Sequence, residues 1–113
     1  MNYIIVKAIG ESGPFKVKTT AYQYLLEDEQ EQEIISYQWH PNSRIKFPHL
    51  HLGSATKVAN KTINKLHLPT GRISFEQVLR LAVDDLQAKP LNEQWNVILS
   101  DTQGRFEKWR TWA

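Results

Sequence analysis

The chain has 113 residues, a mass of 13.2 kDa, 41% hydrophobic and 23% charged residues, and a formal net charge of +2. That is the length of one domain and the balance of a folded globule, not of a disordered chain. Cysteine is absent, which excludes a disulfide scaffold, a thiolate zinc finger and a thiol nucleophile.

No apolar run approaches the roughly 20 residues that span a bilayer, so no membrane association is expected. The N-terminal stretch has no basic n-region and no small-residue cleavage site. It reads as a strand rather than a signal peptide, and the expected location is cytoplasmic.

Residues 3–9, YIIVKAI, form the first expected strand. A turn at Gly10 to Pro14 leads to a second strand from Phe15 to Leu26. There Phe15, Val17 and Thr19 alternate with Lys16, Lys18 and Thr20, the period-2 mark of a strand with one wet face. The acidic run EDEQEQE reverses the chain into a third strand, IISYQWH. Pro41-Asn42-Ser43 breaks it, HLHLG forms a fourth strand, and residues 53–63 are a polar loop. A fifth strand, Lys65 to Leu68, closes at Pro69-Thr70-Gly71.

Ser74 and Gln77 then make an S-x-x-Q capping box. Phe75, Val78, Leu79, Ala82, Val83 and Leu86 follow on one helical stripe. The helix is expected over residues 75–88, stopped by Pro90. In the tail, Asn92 suits the cap of a second helix within residues 92–112, and the rival is a hairpin turning on Asp101 to Gly104. The helix is preferred. Strands first and helices after indicate an α+β fold: one domain over residues 1–113, with an antiparallel sheet of about five strands and the amphipathic helix on one face.

Charge is unevenly spread. Residues 34–75 carry Arg44, Lys46, Lys57, Lys61, Lys65 and Arg72, all four histidines and no acid. In the fourth strand Leu50 and Leu52 share one face, and His49 and His51 share the other. His67 repeats the pattern in the fifth strand, so the open face is expected to collect Gln38, His40, His49, His51, Lys65 and His67.

Three uses of such a face are consistent with the residues. Two imidazoles and a cation suit acid–base cleavage of a phosphodiester, and RNA supplies its own 2′-hydroxyl nucleophile. Three imidazoles suit a divalent metal, although a carboxylate would have to come from Glu33 or Glu76. The third use is an ordinary wet sheet face.

The leading expectation is metal-independent RNA chemistry without a cofactor. His49, His51 and His67 would be catalytic, and Arg44, Lys46, Lys65 and Arg72 would hold phosphate. The rival is a non-enzymatic interaction module, homodimeric through its open face and four tryptophans.

FPHLHLG and RISFEQVLRLAVDDL, within about residues 34–88, resemble the TumE-like toxins of bacterial toxin–antitoxin modules. The resemblance implies a small cytoplasmic toxin acting on RNA and neutralised by an antitoxin-like protein partner.

Overall fold

A computed structural model of the chain describes residues 1–7, 14–53 and 66–109. Five strands, β1 (Asn2–Lys7), β2 (Phe15–Glu27), β3 (Glu33–Trp39), β4 (His49–Leu52) and β5 (Leu68–Pro69), precede two helices, α1 (Phe75–Asp84) and α2 (Trp95–Trp109). The strands form one sheet in the order β1-β2-β3-β4-β5, an antiparallel meander of the α+β class. The polypeptide divides into two compact units, residues 1–3 with 19–73 and residues 4–18 with 74–113.

In the first unit, the turn between β2 and β3 is built by Asp28. Its carboxylate accepts the backbone N–H groups of Gln30 and Gln32, both at 2.9 Å, and Glu31 takes a left-handed φ of 60°. The acidic run is therefore a capped hairpin turn, with Glu27 and Glu33 already in the strands.

Register then sorts the side chains. Tyr22 lies opposite Trp39, Tyr24 opposite Tyr37, and Tyr37 opposite Leu50. Ser36 lies opposite His51, and Gln38 opposite His49. Residues paired across strands share a face, so one face is aromatic and aliphatic and the other carries Ser36, Gln38, His49 and His51. On the apolar face, Tyr22 and Tyr24 stack at 4.8 Å, and the Tyr22 and Trp39 rings lie 5.9 Å apart. The Tyr22 hydroxyl accepts the Ile73 N–H at 3.0 Å. Among the described residues, Ala21, Tyr22, Tyr24 and Trp39 are the buried apolar core of this unit.

β5 is shorter and later than the sequence suggests. It comprises Leu68–Pro69, with Leu68 opposite Leu50 and Pro69 opposite His49. Proline cannot donate to the ladder, so the strand ends at the sheet edge, where the Thr70 N–H bonds to the Pro48 carbonyl at 3.0 Å. The expected strand residue Lys65 and residues 54–63 of the expected polar loop lie outside the described residues.

In the second unit, α1 starts as its capping box dictates. The Ser74 hydroxyl accepts the Gln77 N–H at 3.2 Å, and the Gln77 side chain accepts the Ser74 N–H at 2.8 Å. The helix ends at Asp84, earlier than the expected Ala88. Wider turns close it, Leu86 N–H to the Leu81 carbonyl and Ala88 N–H to the Ala82 carbonyl, with Gln87 left-handed at φ 60°. The reversal thus precedes Pro90.

The expected stripe is only partly covered. Val78 is buried, whereas Phe75, Leu79 and Leu86 remain exposed. α2 is a helix and not a hairpin. The Asn92 side chain accepts the Gln94 N–H at 2.8 Å, and the Asp101–Arg105 ion pair spans one turn at 3.1 Å. α1 packs on α2. The Ser74 hydroxyl donates to Gln103 at 2.7 Å, and the Arg80 guanidinium donates to Asn96 at 2.8 Å and to Ser100 at 3.2 Å. Among the described residues no helix is long and apolar enough to cross a membrane.

Candidate functional site

The sheet brings three of the expected residues together. His49 and His51 leave β4 on the same face because they are two residues apart. His67 reaches them from the segment just before β5, since Leu68 and Pro69 pair with Leu50 and His49. The His49 and His51 rings lie 5.0 Å apart, His49 and His67 5.1 Å, and His51 and His67 4.7 Å, each pair edge to face. One nitrogen from each ring lies within 4.8 Å of the other two.

The face is not the open one that alternation suggests. His49 is only 3% exposed and Ser36 is fully buried, while His51 and His67 are half-buried. A polar ring in that position needs a partner. The His49 Nδ1–H donates to the Phe47 carbonyl at 2.9 Å, and the Phe47 ring stands edge-on to His49 at 5.7 Å. A carbonyl can only accept, so Nδ1 carries a proton, and in the neutral ring the lone pair is the one on Nε2. Beside it, Gln38 donates to the Ser36 hydroxyl at 3.1 Å.

His51 is held below its ordinary pKa of 6.5. Burial is the largest cause, and the neighbouring charges of His49 and His67 add to it. The Glu33 carboxylate and a hydrogen bond to the backbone of Leu66 act in the opposite sense. His51 is therefore a neutral imidazole near pH 7.

Glu33 is one of the two carboxylates the sequence offered, and Gly53 explains its approach. A Cβ at position 53 would collide with the Glu33 carbonyl and its Cγ, so only glycine lets the start of β3 lie so close to the end of β4. The Glu33 carboxylate is near enough for its charge to act on His51.

The expected phosphate ligands do not gather here. Arg72 lies over the Trp39 ring, its guanidinium carbon 3.9 Å from the ring centre, on the face opposite His49 and His51. It belongs with Tyr22 and Trp39, and its expected place beside the histidines is corrected. Arg44 and Lys46 are exposed on the loop that leads into His49, and Lys65 lies outside the described residues. His40 is separate from the cluster and lines a hollow with Met1, Asn2, Ala21, Tyr22 and Gln23.

Comparison with family models, with curated proteins and with solved structures finds no match to this chain. The TumE-like resemblance therefore gains no support from relatives.

Proposed function

We propose that the protein is a small RNA-cleaving enzyme whose reactive centre is the point on which His49, His51 and His67 converge. The observation that carries this reading is the convergence itself. A fold gains little from three titratable rings packed around one point, one of them buried, because charging any of them opposes the others. Such an arrangement costs stability and is retained for chemistry.

RNA fits because it brings its own nucleophile. The 2′-hydroxyl gives up a proton, its oxygen bonds to the adjacent phosphorus, the P–O5′ bond breaks, and the leaving oxygen takes a proton. The base for the first step and the acid for the last both belong at the histidine point. Exposed Arg44 and Lys46 stand on the loop leading into His49, where a phosphate backbone would pass. In this reading the protein is a cytoplasmic, toxin-like ribonuclease, and an antitoxin-like partner would silence it by covering the cluster.

Cleavage of a defined single-stranded RNA by the native protein, lost in His51→Ala and in His67→Ala, is the expected result. Undiminished cleavage in both variants sinks the reading.

A second reading is supported by the sheet edge. Tyr3, Ile4 and Ile5 of β1 are exposed, and β1 is an outer strand. An interaction module, homodimeric through that edge, would be dimeric by light scattering at micromolar concentration. A strict monomer removes it.

A further inference from the structure

The three imidazoles form a frame whose dimensions are those of a metal site. A first-row divalent ion binds imidazole nitrogen at about 2.0–2.1 Å, which places the ion about 3.2 Å from each ring centre. Ring centres around such an ion then lie about 5.2 Å apart for tetrahedral angles and about 4.5 Å apart on one face of an octahedron. The observed separations of 4.7, 5.0 and 5.1 Å fall between the two. The nitrogens lie within 4.8 Å of one another, and small rotations of the rings would draw them to the roughly 3–3.4 Å that a common ion requires.

The outer contacts follow the same design. A ligating histidine gives its other ring N–H to a carbonyl or carboxylate, which fixes the tautomer and aims the lone pair. His49 does this through Nδ1 to the Phe47 carbonyl at 2.9 Å, and the His51 ring bonds to the backbone of Leu66. The donor set is three nitrogens with no thiolate. That set suits cobalt, nickel, copper or zinc, and it does not suit magnesium or calcium, which take oxygen.

We propose that His49 through Nε2, His51 and His67 bind one divalent transition-metal ion as a three-histidine face, leaving at least one coordination position open for water or substrate. This departs from the cofactor-free site expected from sequence. An ion there would lower the pKa of bound water and polarise a phosphoryl oxygen. The Glu33 carboxylate acts on the charge of His51 but is not among the converging donor atoms, so the protein ligands are the three imidazoles. The inference concerns the same side chains as the RNA-cleavage reading but gives their lone pairs to the ion, so bound water rather than an imidazole would then be the base, and it does not depend on RNA being the substrate.

The test is calorimetric titration of tag-free, chelator-stripped protein with zinc chloride, cobalt chloride and magnesium chloride. One equivalent of zinc or cobalt should bind, and magnesium should not. His51→Ala and His67→Ala should each weaken binding at least 100-fold, more than the 10–100-fold typical of losing an outer contact. His40→Ala should bind like the native protein. His49 is buried, so its removal risks the fold. The half-buried His51 and His67 carry the test, with circular dichroism confirming that each variant is folded.

The cobalt d–d bands give a second reading on the native protein alone, intense for four-coordinate and faint for six-coordinate ions. No stoichiometric binding to the native protein at millimolar ion overturns the proposal, as does unchanged binding in both variants. Metal binding without RNA cleavage leaves the site standing and removes the RNA reading. RNA cleavage by a protein that binds no ion does the reverse.

Discussion

Acid should destabilise the metal-free protein through His51. Burial, and then the charges of His49 and His67, hold this ring below 6.5 in the fold. The unfolded chain titrates near 6.5, so below that pH the unfolded state binds more protons than the native one. Stability is full above about 6.5 and is lost as pH falls toward the folded value.

The neighbours are close enough to enforce this. Rings 4.7 and 5.0 Å away, if fully charged, would each repel a charged His51 by about 3 kcal/mol at an effective dielectric near 20. Keeping His51 neutral at pH 5 costs at most about 2 kcal/mol, because that pH lies about 1.5 units below the ordinary value. His51 is half-buried, and solvent screening reduces the measurable effect to about 1 kcal/mol.

Urea unfolding with chelator present, at pH 7.5 and pH 5, compares the native protein with His51→Gln. The native protein should lose about 1 kcal/mol more than the variant on acidification. Equal losses in the two proteins would refute the argument that the cluster keeps His51 neutral.

Three further substitutions test the fold. Gly53→Ala should destabilise by more than about 2 kcal/mol, since the new methyl meets Glu33 backbone atoms; a denaturation midpoint like that of the native protein contradicts the close approach. Ser74→Ala should cost about 1–2 kcal/mol, because the hydroxyl caps α1 and also bonds to Gln103; a smaller change in urea would mean the box is redundant. Tyr22→Phe strands the Ile73 N–H beneath a buried ring and should cost about 1–3 kcal/mol. In the native protein the same burial pushes the Tyr22 phenol above the ordinary tyrosine range, so an alkaline absorbance titration should show a late step that Tyr22→Phe removes.

Much of the fold is written in local patterns. Alternation places Ile35, Tyr37 and Trp39 on one face and Ser36 and Gln38 on the other, and the register bears this out. The H-x-H spacing puts His49 and His51 side by side, and S-x-x-Q starts α1 where the hydrogen bonds start it.

What escaped the sequence depends on partners distant along the chain. A histidine read as a wet-face residue becomes nearly inaccessible because its Nδ1–H turns back to Phe47. Arg72, expected beside the histidines from its basic neighbourhood, leaves them because Trp39 offers an aromatic face far away in sequence. Of the stripe that periodicity marks on α1, Val78 is buried while Phe75, Leu79 and Leu86 stay exposed, since how much of a stripe is covered depends on what packs against it. The Glu33 approach had a visible signal in Gly53, a glycine ending a strand, which marks a close contact without naming its partner.

The central claim is that three imidazole nitrogens share one ion, and the imidazole nitrogens themselves report it. Long-range proton–nitrogen spectra of the 15N-labelled protein resolve both ring nitrogens of each of the four histidines. Titration with one equivalent of zinc should shift one nitrogen each of His49, His51 and His67. For His49 it should be Nε2, because Nδ1 keeps its proton on the Phe47 carbonyl, and His40 should not move. Shifts confined to His40, a shift at Nδ1 of His49, or no shift in any of the three rings would contradict the account.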